Sequence, residues 1–163
     1  MHRKQFITTI AAGSASICIP YISNAQSDEP LPIALVKDFV IAGHGNFDKT
    51  KQMLAETPAL LYAAYDWKSG DFETALEGAG HVGNKEIANY LIEKGARTNL
   101  FVLTMLGKTN IVRPFLEAFP QYLTARGPHG LTLLHHAQKG GDDAKELVEY
   151  LTTKGLKETK ANL

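Results

Sequence analysis

Residues 73–96 read Glu-Thr-Ala-Leu-Glu-Gly-Ala-Gly-His-Val-Gly-Asn-Lys-Glu-Ile-Ala-Asn-Tyr-Leu-Ile-Glu-Lys-Gly-Ala. A threonine opens a short segment rich in small residues (Ala75, Gly78, Ala79, Gly80), a glycine turn follows at Gly83, and an amphipathic helix carries the adjacent pair Leu91-Ile92. Ile87, Ala88, Leu91 and Ile92 fall on one helical face, so this helix has an apolar stripe that a neighbour must cover. Gly95 stands where a left-handed helix cap is expected, and Gly155 is placed similarly.

The pattern returns along the chain. Gly130-Leu131-Thr132-Leu133-Leu134-His135-His136-Ala137 is followed by Gly140-Gly141 and a helix from Ala144 to Thr152. Gly45 to Leu54 and Gly107 to Leu116 repeat the second helix without the threonine opening; Ile111, Val112, Phe115 and Leu116 again share a face. Pro114 lies beyond the first turn, which predicts a kink or a late helix start. These units resemble ankyrin repeats, whose pattern is a Thr-x-Leu-His opening, a small-residue stripe, a glycine turn and a helix ending in Gly-Ala. The pairs Met53-Leu54, Leu91-Ile92, Phe115-Leu116 and Tyr150-Leu151 are spaced by 38, 24 and 35 residues, against a period of about 33 in that family. The resemblance implies an all-α solenoid of about four helix-turn-helix repeats with short β-hairpin or loop fingers, spanning residues 33–160 and leaving 161–163 as a tail. Stacking is the physical reason, since one repeat cannot bury its own stripe. The long spacing predicts an extended finger from about Tyr62 to Phe72, and the short one a hairpin largely missing between the second and third units. Leu156 to Leu163 are expected to fray.

Seventeen Lys and Arg balance seventeen Asp and Glu, so the basic footprint of a nucleic-acid binder is absent and no nucleic-acid partner is expected. A hydrophobic content of 44% is enough for a packed core. Cys18 is the sole cysteine; a disulfide framework, a cysteine zinc site and, once the leader is removed, a cysteine nucleophile are therefore excluded.

The N-terminus has Arg3 and Lys4, an apolar run from Phe6 to Ile22, and Ser23-Asn24-Ala25. This reads as a signal peptide over residues 1–25, cleaved after Ala25, with 26–32 as a linker bearing Pro30 and Pro32. The run is short and diluted for a membrane anchor, so membrane contact arises only if it is left uncleaved. Arg3-Lys4-Gln5-Phe6-Ile7 resembles a twin-arginine signal with lysine in second place, although an ordinary basic leader is the preferred route. The expected location is periplasmic or secreted.

Among candidate sites, His135 matches the family's Thr-x-Leu-His histidine, which bonds within and between repeats. His135 and His136 diverge by about 100° on a helix and cannot readily chelate one ion. No HxxxH or HxxE spacing is present, so no metal and no cofactor are expected. Asp66, Asp71 and Glu73 read as carboxylates on a solvated finger. No nucleophile elbow or phosphate loop occurs, and no catalytic residue is assigned. Tyr65, Asp66, Trp67, Lys68 and Phe72 combine rings and charges on the finger, a composition typical of interface hot spots; folding of Trp67 and Phe72 back over the first repeats is the alternative. The repeat register places Gly78, Val102 and His136 in one row of the concave face, with His81, Met105 and Lys139 in the next, and Arg126 and His129 on the second hairpin. The expectation is a monomeric, noncatalytic module that binds a partner protein through these residues. The rival is a small metal-binding or hydrolytic protein using His81, His129 or the finger carboxylates.

Overall fold

Side-chain oxygens open most of the helices. Asn46, Thr74, Asn84, Asn99 and Thr132 each accept a hydrogen bond from the backbone amide three residues on, pairing one of the amides that a helix start leaves unbonded. Thr74 is answered by Glu77, whose carboxylate accepts from the Thr74 amide and closes a capping box. The computed structural model describes residues 29–161, and the leader assigned to residues 1–25 lies outside them.

Eight α-helices occur among the described residues: α1 (Ile33–Gly43), α2 (Phe47–Glu56), α3 (Ala75–Val82), α4 (Lys85–Glu93), α5 (Leu100–Met105), α6 (Thr109–Ala118), α7 (Leu133–Lys139) and α8 (Lys145–Thr153). They pair as α1 with α2, α3 with α4, α5 with α6 and α7 with α8, while α1, α3, α5 and α7 pack in a row. Close approach along the row depends on small residues. A Cβ added to Gly80 would stand 3.0 Å from a methyl of Val102. The core consists of a cluster around Phe39, Leu60, Ile87 and Leu91 and another around Leu116, Leu133, Leu147 and Leu151. Each such side chain contributes about 1.5–3 kcal/mol when fully buried. No helix among the described residues is long and apolar enough to cross a membrane.

The first finger is an antiparallel hairpin of β1 (Ala64–Asp66) and β2 (Phe72–Thr74), with Asp66 opposite Phe72. Its tip is fixed by the Gly70 amide, which donates to Asp66 Oδ1 at 3.0 Å. A second finger is closed by a bridge between Arg126 and Thr132. Between α4 and α5 there is no strand.

Two expectations need correction. The C-terminal segment does not fray as far as it is described: Thr132 N–H donates to Thr159 O, and Ala161 N–H to Gly130 O, so residues 159–161 lie along the second finger. Helix α6 also starts at Thr109 and runs through Pro114. Of the two outcomes read from Pro114, the late start is the one that does not occur; the proline is exposed within the helix.

Candidate metal centre

Four side chains from four places in the chain meet where the row of helices faces the two fingers. His44 directly follows α1, and its Nδ1 donates to Val40 O at 2.9 Å. Its ring lies over Gly78 of α3, where an added Cβ would sit 2.8 Å from two ring atoms. Glu73 is the middle residue of β2. Strand alternation turns Phe72 outward, 59% exposed, and Glu73 inward to complete burial. His81 occupies the last turn of α3; across the row, His135 Nε2 donates to the His81 carbonyl at 2.8 Å.

His129 is delivered by the second finger in a left-handed backbone conformation, φ 60°, rare for a residue with a side chain. Asp71 holds it there. One carboxylate oxygen accepts the His129 backbone amide at 2.7 Å and the other contacts ring Nδ1 at 2.8 Å. A carbonyl and a carboxylate can only accept, so both His44 and His129 carry their proton on Nδ1 and present a bare Nε2 when neutral.

Those nitrogens converge on one carboxylate. His44 Nε2 is 3.5 Å from Glu73 Oε2, His129 Nε2 is 3.5 Å from the same oxygen, and His81 Nε2 is 3.4 Å from Oε1. One donor atom from each of the four residues lies within 4.8 Å of all the others. The Glu73 contacts are too long for hydrogen bonds of the kind Asp71 makes to His129. Glu73 Oε2 accepts from Trp67 Nε1 at 2.8 Å, but Oε1 and both ring nitrogens of His81 are buried without a hydrogen-bond partner. Buried polar atoms are seldom left so.

Burial, and secondarily the neighbouring imidazoles of His44 and His129, push the His81 pKa down to about 3, so His81 is neutral at pH 7 and its closeness to Glu73 is not an ion pair. Burial likewise raises the Glu73 pKa, against the opposing pull of His44 and the Trp67 hydrogen bond. Burial also pushes Asp71 upward, but the His129 hydrogen bonds outweigh it and hold that carboxyl below its usual range. Asp71 is thus the anionic orienting group behind the His129 imidazole, an arrangement common behind metal-bound histidines.

The residues singled out from sequence separate into three groups. His81 and His129 belong to the cluster. Trp67 supports it by its bond to Glu73, and Tyr65 packs edge-on against Trp67. Asp66 caps the finger turn. Lys68, Phe72 and Arg126 line an open cleft of about 540 Å³ between the two fingers, and Lys139 is exposed at the end of α7. Val102, Met105 and His136 are not partner-facing: they are at most 1% exposed, because neighbouring helices of the row close over them.

His44 is the site residue that the sequence reading missed; Glu73 enters that reading only among the finger carboxylates of the rival, and Asp71 and Glu73 are buried where a solvated finger was expected. Spacing could not reveal ligands supplied by separate elements. The alternation Asp71-Phe72-Glu73 beside Trp67 was the available signal, since it turns both carboxylates to the same face. A scan of protein-family models and a search of curated proteins found no match to this chain.

Proposed function

We propose that this is a metal-binding protein whose centre is formed by the Nε2 atoms of His44, His81 and His129 and the carboxylate of Glu73, carried on four degenerate ankyrin-type repeats in an exported chain. The observation that supports it best is the stand-off of three imidazole nitrogens at 3.4–3.5 Å around one fully buried carboxylate. Ligands bound at about 2.0–2.1 Å to one four- or five-coordinate ion are separated from each other by roughly 2.9–3.6 Å. The same separation is poor for hydrogen bonding, so the arrangement suits co-ligands better than partners.

The donor set selects the ion. Three neutral imidazoles and one carboxylate suit zinc, copper, nickel, cobalt or iron, whereas calcium and magnesium take oxygen ligands. A divalent cation would also supply the charge that Glu73 lacks in its buried setting and occupy lone pairs that nothing else uses.

The test is metal content after dialysis of the metal-free protein, residues 26–163, against zinc or cobalt. One ion per chain in wild type, with His81→Ala and Glu73→Gln losing it while keeping the wild-type circular dichroism spectrum, is the expected result. A folded wild type that retains no stoichiometric ion would overturn the reading.

A further inference from the structure

The four donors do not enclose a point equally. Glu73 and His81 form a floor, with side chains 0% and 10% exposed, while His44 and His129 form a rim at 27% and 28%. His81 packs against both rim rings, with centroids 4.7 Å from His44 and 5.3 Å from His129. The Trp67 ring lies 5.9 Å from that of His129. The protein therefore covers an ion at this place from beneath and along its flanks, and the accessible edges of the rim rings mark the side that meets solvent. Four protein ligands fill a tetrahedral ion but leave one position on a five-coordinate ion and two on a six-coordinate one.

The approach to the rim has its own chemistry. Lys37 and Ile41 fall on one face of α1, in register with His44 just past its end, and both are exposed. The Lys37 ammonium stands 5.4 Å from the Tyr65 ring centroid and 5.9 Å from that of Trp67, which holds a cation beside the ring that neighbours His129. Asp71 meets the His129 ring at Nδ1, is 7% exposed and is committed to that residue. A divalent ion bound through a single direct carboxylate keeps net positive charge, and Lys37 adds to it on the solvent side.

Resting on the metal-binding reading, we infer that the centre is open rather than closed: the ion keeps an exchangeable coordination position between His44 and His129 that takes water or a small anion from solvent. The Glu73 floor and the Asp71 support are what a site needs to hold the ion while this outer position turns over, and the Lys37 face favours an anionic occupant.

Cobalt(II) reports coordination number directly, because the intensity of its visible spectrum depends on geometry. Metal content is measured first, on the same sample. The cobalt protein is then titrated with sodium azide at constant ionic strength. A saturable one-to-one spectral change, reversed by dialysis without loss of cobalt, is expected. A stoichiometric cobalt protein whose spectrum ignores azide in large excess overturns the open position and leaves the metal-binding reading intact. A change accompanied by cobalt release also overturns it, since azide then competes with the protein instead of joining it. Failure to load cobalt defeats both readings.

Discussion

His81 Nε2 stands 3.4 Å from Glu73 Oε1, and neither atom has a hydrogen-bond partner. Two polar groups have been brought together in the interior without bonding to each other. Their geometry favours a third species between them, at a cost in stability when that species is missing. Glu73→Gln separates the two effects. The raised Glu73 pKa means that its protonated form is favoured on folding, so its contribution is present at low pH and lost as pH rises through the folded pKa. At pH 7 the metal-free variant is expected to be more stable than metal-free wild type by about 1–2 kcal/mol, read as a rise in Tm of about 3–8 °C. Zinc affinity is expected to fall in the same variant. A lower Tm in the metal-free variant would show that the carboxylate stabilises the fold by itself.

Asp71→Asn keeps an oxygen for the His129 amide and removes the charge behind the ring. Zinc affinity, measured by chelator competition, is expected to drop 10- to 100-fold, the range seen when such supporting groups are lost. Unchanged affinity with an unchanged fold would reduce Asp71 to a backbone clamp.

Gly78→Ala places a methyl 2.8 Å from the His44 ring. Destabilisation of about 1–3 kcal/mol is expected from overpacking, together with weaker metal binding as the ring is displaced. In a His44→Ala background the same substitution should cost little. Denaturant titration of the four proteins in this cycle measures the coupling, and its absence would place the conflict elsewhere.

His136 is 1% exposed, and burial, only partly offset by the hydrogen bond its Nδ1 donates to Thr132 O, lowers its pKa from 6.5 to about 4. Its neutral form is favoured on folding. The stabilisation is complete above pH 6.5 and lost as pH falls toward 4, because the unfolded chain takes up a proton there that the folded chain refuses. The slope from this residue approaches about 1.4 kcal/mol per pH unit. In metal-free protein, His136→Leu should flatten the pH dependence of unfolding free energy across that window; an unchanged slope would reassign it to other groups.

Trp67 is the sole tryptophan, and its indole donates to Glu73 at 2.8 Å. Copper(II) should therefore quench most of the intrinsic tryptophan fluorescence at one equivalent, with no such endpoint in the His81→Ala variant. Quenching that rises linearly with copper in both proteins would point to nonspecific contact at the surface.

The helical part of this protein was legible because helices are written locally. Threonine before the small-residue segments, Gly95 and Gly155 after the helices, and paired residues such as Leu91-Ile92 specify where helices begin, end and bury a face; Gly95 and Gly155 have the expected positive φ. His81, placed by the repeat register on the partner-binding concave face, is instead buried at 9% exposure. The candidate centre was legible only in part, as the rival reading's His81, His129 and finger carboxylates and not as a cluster with His44, because the side chains at positions 44, 73, 81 and 129 come from a helix end, a strand, a helix and a loop whose meeting depends on how fingers fold over the row. Trp67 and Glu73 show the limit most clearly. In sequence they are a ring and a carboxyl group on a polar hairpin, and only the packing of that hairpin against α1 and α3 buries the carboxyl group among imidazoles. Local hydrogen bonding and hydrophobic periodicity determine elements one at a time, whereas a ligand set is a property of distances between elements, set by tertiary packing.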